Sequence, residues 1–278
     1  MLSDRERFIV ARIGEVMLTR TALGFSPDVL VELDDPDADS RQIEALKGHI
    51  GPDILSHLLA IAESVYFGSL KHGQVHNFYD AVVRLGTDRT KVYIVILALK
   101  RLARRDHEVE TVFARSFATS VVGGVLARCL SWREDVIRKV ELGGLLVEIG
   151  RILILLYGRL YRREEGLIEE TELSDPVVDY LHPHVGVAFL ERFSLPPYLK
   201  EILLEEGLVL GHRHLTTAGV VHLAHDTVEA SFRRSHGRLV ATAPPRDEEG
   251  GFSLAEMIVE QFRAAGLSDH LLVLTPPG

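Results

Sequence analysis

The chain has 278 residues, 46% of them hydrophobic and 26% charged, with a formal net charge of −9. That length supports a sizeable core in one large domain or two modest ones, and the acidic balance repels phosphate backbones, which argues against general nucleic-acid binding. The single cysteine, Cys129, excludes an internal disulfide and a cysteine-built zinc cage. Its apolar neighbours predict a buried, inert thiol.

Taken in chain order, the pattern is helical. The N-terminus is charged from the start and lacks an uninterrupted apolar stretch, so no signal peptide is expected. Ser3-x-x-Glu6 reads as a capping box opening a helix with Phe8, Ile9, Ile13, Val16 and Met17 on one face. An acidic turn at residues 34–39 leads into a helix, which breaks at Gly51-Pro52 before another helix with Asp53 in its first turn. The "HGQVHN" stretch at 72–77 reads as an exposed loop. Two helices hinge at Gly86, with Thr87 expected as the cap of the second. The apolar run "VYIVILAL" at 92–99 is bounded by Lys91 and Lys100, too short for a bilayer span of about 20 residues. Long helical patterns cover 109–130, 134–163 and 176–205.

Two basic clusters, Arg101/Arg104/Arg105 and Arg159/Arg162/Arg163, fall at expected helix ends, where they complement the helix dipole. The glycine pairs Gly123-Gly124 and Gly143-Gly144 lie inside helical stretches. Glycine weakens a helix by about 1 kcal/mol against alanine, so the pairs point to close helix–helix approach rather than to a phosphate loop. After about residue 230 the composition turns to Pro, Gly and charge, predicting a loop or small hairpin. Ser253-x-x-Glu256 then opens an amphipathic helix ending near Gly266, and "HLLVLTPPG" reads as an extended tail.

Two blocks then resemble the HDOD family, bacterial signalling domains related to the HD superfamily. The first holds Asp35-Pro36, Pro52-Asp53, Leu58, Leu59, Ala62, Ser64, Phe67-Gly68, Ala81, Val82, Leu85 and Gly86, with Glu63 where the family has Asn. The second holds "GLLVEIGRI" and "LHPHVGVAFLERFSLPPYLKEILLEE". Together they span roughly residues 20–230. The resemblance implies an all-α fold and divides the chain into an N-terminal helix (1–20), an N-terminal helical half (21–107), an HD-like helical half (108–230) and a C-terminal extension (231–278). It also implies a role in bacterial signal transduction, while the charged N-terminus and the short apolar run make a cytoplasmic, soluble protein the expectation.

The resemblance makes Glu148 the centre of interest. It is an acid inside an otherwise apolar run, at the position where HD phosphohydrolases place the Asp of a metal-binding His-Asp pair. Carried over residue by residue, the family's ligand positions fall on Arg115, Val147, Glu148, His182, Glu205, Glu206 and His225. Val147 has no lone pair and Arg115 stays protonated. A guanidinium about 5 Å from a dication would be repelled by roughly 7 kcal/mol at an effective dielectric of about 20. The pocket is therefore expected to be a degenerate metal site, with no metal, no cofactor and no hydrolysis, open to use as a ligand pocket.

For Glu148 two readings stay open. In one, Arg115 pairs with it and fills the former metal position, since a lone buried carboxylate costs several kcal/mol. In the other, Glu148 faces solvent with Arg151 as its i,i+3 neighbour. His182, His184, His212, His214, His222 and His225 could be imagined as a zinc cluster, but loop histidines are usually solvated. Adjacent Glu205 and Glu206 diverge by about 100° on a helix and do not converge on one bond. The expected function is a non-enzymatic regulatory protein with a signalling-protein partner, with a small anionic ligand also compatible, and with neither nucleic acid nor membrane as partner. The alternative is a metal-dependent phosphohydrolase using His182, His225, Glu148 and Glu205.

Overall fold

The computed structural model describes residues 2–19, 23–63, 74–103, 106–204, 216–234, 239–242, 263 and 271–274. The body is all-α, in the order α1 (Asp4–Thr19), α2 (Asp28–Glu32), α3 (Ser40–Ala45), α4 (Pro52–Glu63), α5 (Phe78–Leu85), α6 (Thr87–Leu102), α7 (His107–Cys129), α8 (Glu134–Leu146), α9 (Ile149–Leu160), α10 (Arg162–Glu165), α11 (Asp175–Arg192), α12 (Tyr198–Leu204) and α13 (Thr217–Arg234). One continuous apolar core runs through these helices, from Ile9 to Val228.

Local chemistry sets many of the helix starts. Ser3 and Glu6 close their capping box, Ser3 N–H donating to the Glu6 carboxylate at 2.6 Å. Asp39 and Gln42 form a second box at the head of α3, after the Asp35 side chain has accepted the Asp37 amide in the preceding turn. Asn77, within the stretch read as a plain loop, caps α5 by accepting the Asp80 amide at 2.8 Å. At the α5–α6 hinge the expectation fails in one detail. Gly86 (φ 83°), not Thr87, is the N-cap of α6, and no side chain caps that helix. A left-handed backbone is needed to turn out of α5, and glycine adopts it without strain.

Three further differences come from packing. Phe8 is exposed, under the Arg5 guanidinium at 5.1 Å, while Ile9, Ile13, Val16 and Met17 are buried as expected. Cys129 is exposed because it closes α7, beyond the last buried residue of that helix, Ala127. The long pattern over 134–163 is three helices rather than one, with a break at Val147-Glu148. The pattern over 176–205 divides likewise at Leu195-Pro196-Pro197, where proline cannot continue a helix.

In space, α1 packs on α9 and α11, so the N-terminal helix sits against helices from much later in the chain. Arg5 fixes it by a two-pronged bond to Glu172 (2.6 Å to each oxygen) and Arg12 by a similar one to Glu165. Helix α4 packs on α5 and α6, while α7 packs on α8 and α13. α7 is long and apolar enough to cross a membrane, but two thirds of its apolar window lies inside the core. The "VYIVILAL" run is wholly buried within α6. At the N-terminal end of that helix, Lys91 (2% exposed) reaches Asp34 at 2.6 Å and the Ser194 carbonyl at 3.3 Å, tying the two halves together.

The glycine pairs mark close approach, as expected. A Cβ on Gly144 would lie 2.6 Å from the Ser120 amide of α7, one on Gly143 2.7 Å from Ile202, and one on Gly123 2.9 Å from Val140. Past α13, strand β1 (Leu239–Thr242) pairs in parallel with β2 (Leu271–Leu274), Leu239 opposite Leu271. Parallel pairing needs a crossover rather than a tight turn; the tail is extended over 271–274, as a strand of a two-stranded sheet, and most of the expected loop or hairpin lies outside the described residues. Apart from Arg263, which is helical, the expected helix at 253–266 lies outside the described residues.

Candidate functional site

The break between α8 and α9 builds the site. Gly144 brings α8 against α7, and at Gly150 the backbone of α9 lies so close to α11 that a Cβ would overlap the His182 carbonyl. Between these two contacts Glu148 takes a non-helical conformation (φ −104°, ψ 14°). Its side chain is thereby turned inward, and the residue is 2% exposed.

Four side chains from three elements meet there. Arg115 of α7 grips the Glu148 carboxylate with two parallel bonds, Nε to Oε2 at 2.9 Å and Nη2 to Oε1 at 2.7 Å. Arg151, one turn into α9, places its Nε 3.3 Å from Oε1 and also pairs with Asp179 of α11. His225 of α13 sets Nε2 3.4 Å from the same oxygen. The buried-pair reading of Glu148 therefore describes the molecule, and the i,i+3 contact of the other reading coexists with it without exposing the acid.

The electrostatics follow. Burial alone would raise the Glu148 carboxyl, but His225, Arg115 and Arg151 together outweigh it and hold the group below its ordinary value. His182 goes the opposite way to a paired imidazole. Burial, with Arg151 reinforcing it against the pull of Glu148, drives it down to about 4, so it is neutral at pH 7. Its Nδ1 is buried and makes no hydrogen bond, and neither does His225 Nε2.

The remaining predicted positions divide. Val147 is a core side chain, 4% exposed. Glu205, Glu206, His212 and His214 lie outside the described residues, as do Ser64, Phe67, Gly68, Arg104 and Arg105. His222 turns away to the Ile202 carbonyl at 2.9 Å, and His184 lies edge-on to the Tyr180 ring, so these imidazoles do not join a zinc cluster. Among the described residues, the ligand-type atoms that gather within 4.8 Å of one another belong to His225, Asp226 and Glu229 of α13. That trio borders the pocket without including Glu148.

The residues present do not fit the divalent centre of an HD hydrolase. Both oxygens of Glu148 are engaged by a guanidinium, the neighbouring position is aliphatic, and a dication would have to displace Arg115.

A second buried acid escaped the sequence reading. Glu141 of α8 is 2% exposed and holds two arginines, Arg89 from the first turn of α6 and Arg128 from α7 at 2.8 Å. The signal was available: "VELGG" is an acid in an apolar run, as "VEIG" is.

The HDOD domain profile matches residues 26–206, nearly two thirds of the chain. The chain belongs to the HDOD family. No curated protein matches it significantly. Among solved structures, a presumed metal-dependent phosphohydrolase from Shewanella amazonensis SB2B is similar over 96% of this HDOD chain and 99% of its own, at 14% identity and a TM-score of 0.57. A presumed phosphohydrolase from the same organism is similar over 94% and 91%, at 15% identity and a TM-score of 0.51. At such identities the likeness is one of fold.

Proposed function

We propose that this HDOD chain is a non-catalytic regulatory protein of bacterial signal transduction, acting through a protein partner or a small ligand. The observation that carries the reading is the two-pronged Arg115–Glu148 pair at the position where the family resemblance puts metal ligands. A guanidinium cannot coordinate, and its removal from a buried carboxylate leaves an uncompensated charge. A phosphohydrolase needs one or two ions to activate water, and this pair opposes their entry.

The second reading, a metal-dependent phosphohydrolase with an altered ligand set, has one observation in its favour. His182 carries a buried ring nitrogen without a hydrogen bond, and His225 turns its Nε2 toward Glu148 at 3.4 Å, which is how ligand imidazoles look without an ion.

Metal analysis and phosphodiesterase assays with Mn²⁺, Mg²⁺ and Fe²⁺ separate the two. The regulatory reading expects substoichiometric metal and no turnover in the native chain, with metal uptake rising in the triple variant Arg115→His/Val147→His/Glu148→Asp. Near-stoichiometric metal in the native protein, with turnover lost in His182→Ala, would overturn it.

A further inference from the structure

Away from Glu148, an open cleft of about 430 Å³ separates the α5–α6 corner from the outer face of α8. One wall is the corner itself, with Gly86, Thr87 and Asp88. The other carries Arg138 and Lys139, and Tyr198, at the start of α12, lies beside them. Arg89 of α6, which also lines the cleft, holds buried Glu141 of α8.

The two walls carry polar groups that are unmet and that complement one another. Asp88 is exposed and makes no ion pair with a described residue. Burial holds its carboxyl above the ordinary value, with Asp34 adding to the rise and Lys91 opposing it. Arg138 and Lys139 are exposed and have no carboxylate partner among the described residues, and Lys139 rests over the Tyr198 ring at 5.3 Å. Asp135, the acid on their own wall, is held by Arg133 at 3.0 Å. The Tyr198 hydroxyl makes no hydrogen bond to a described residue. Burial raises this phenol, and Asp88 is near enough to raise it further, against Arg89.

The register of the helices brings these groups toward one another. Asp88 adjoins Arg89 in the sequence, and Arg138 stands one turn before Glu141 on α8. The facing charges therefore lie about 5.4 Å, one helix turn, along from a pair that is already formed. At Gly86 (φ 83°) a Cβ would meet nothing within 4 Å, so no side chain wedges the corner. We propose that this cleft closes, the α5–α6 corner moving onto α8 about the Arg89–Glu141 tie, with Asp88 seated between Arg138 and the Tyr198 hydroxyl. Closing pairs the carboxylate with a guanidinium and gives the phenol an acceptor. The buried tie persists in both forms, so the movement is a pivot and not a separation of α6 from α8. It gives the chain two forms, and whatever binds one of them better shifts the balance toward it.

The inference does not rest on the reading of the Glu148 pocket, and its test involves neither metal nor turnover. Nitroxides are placed at Val83→Cys on α5, 62% exposed, and at Glu134→Cys at the start of α8, in the full chain with its single native thiol removed by Cys129→Ser. Pulsed electron resonance then reads the distance across the cleft. Two separations are expected, the shorter favoured at about 0.1 M salt and depleted at about 1 M, where the screening length falls from about 10 Å to about 3 Å. Arg138→Glu/Lys139→Glu should cut the shorter population at least about fivefold, the factor of one exposed ion pair at its strongest. Asp88→Arg in that charge-reversed background should restore it. Arg163→Glu, the same reversal on an exposed residue outside the cleft, should change neither population. One separation unmoved by salt and by Arg138→Glu/Lys139→Glu would overturn the proposal, as would a shorter population that survives the reversal.

Discussion

Helix α8 and the break that ends it carry two buried glutamates, seven positions apart, and each is held by two arginines. Around Glu141 the cations come from α6 and α7, and the centre braces the junction between the halves. Around Glu148 they come from α7 and α9, and the centre also faces His182 and His225. The same motif of an acid between two guanidinium groups thus serves in one place as a tie and in the other stands where the family resemblance puts metal ligands. The difference lies in the neighbours. Among the described residues, His182 and His225 border the second acid, so that centre should show histidine-linked behaviour.

Removing each acid is the strongest way to sharpen the contrast. Glu141→Ala removes the carboxylate that Arg89, whose side chain is 11% exposed, and Arg128 both hold. It is expected to cost about 4 kcal/mol in urea unfolding, typical of a broken buried pair. A loss below about 1 kcal/mol would mean that the centre is not structural. Glu148→Ala should cost less, about 3 kcal/mol, because Arg151 keeps Asp179 and Arg115 has Glu229 at 4.0 Å. Replacing the pair together, Arg115→Met/Glu148→Leu, should come within about 1 kcal/mol of the native chain, since apolar groups of like volume often substitute for a buried ion pair.

Acidity separates the centres next. His182 titrates near 4 in the folded chain and near 6.5 unfolded, so between those values the unfolded state binds more protons. Its contribution to stability is intact above pH 6.5 and falls by roughly 3 kcal/mol as pH drops to about 4. The lowered Glu148 carboxyl adds a further loss only below its ordinary value of 4.5, as pH falls through its folded value. Stability against pH for His182→Gln should therefore lack the upper part of this fall. An unchanged curve would reject the assignment.

Smaller effects test the packing around the helix break. Gly144→Ala pushes a methyl group toward the Ser120 backbone and should cost about 2 kcal/mol by overpacking. Phe8→Ala, at an exposed ring, should change unfolding by no more than about 0.5 kcal/mol.

Much of this was legible before any coordinates. The Ser3/Glu6 capping box, the Gly51-Pro52 break and the glycine pairs act through neighbours a few residues away, so local pattern reveals them. The family resemblance singled out Arg115, Glu148, His182 and His225, and Arg115 and His225 do meet Glu148, with His182 feeling its charge. The break at Val147-Glu148 was not legible, because no proline or turn residue announces it. It exists where α7 and α11 press on the chain from either side. Glu141 was missed for want of a resemblance to point at it, although its sequence context matches that of Glu148. Cys129 and Phe8 were misplaced because an apolar neighbourhood in sequence says nothing of which helix face meets the core.

Periodicity and terminal chemistry were sufficient to determine the all-α class and most of the helix starts, since both depend on backbone geometry and near neighbours. Only the tertiary structure decided which charges meet. Arg115 and Glu148 are 33 residues apart, Arg89 and Glu141 are 52 apart, and nothing along the chain specifies such pairings. They arise because glycine-permitted helix contacts bring α7, α8, α9 and α11 close enough that a buried carboxylate must find a cation from another helix.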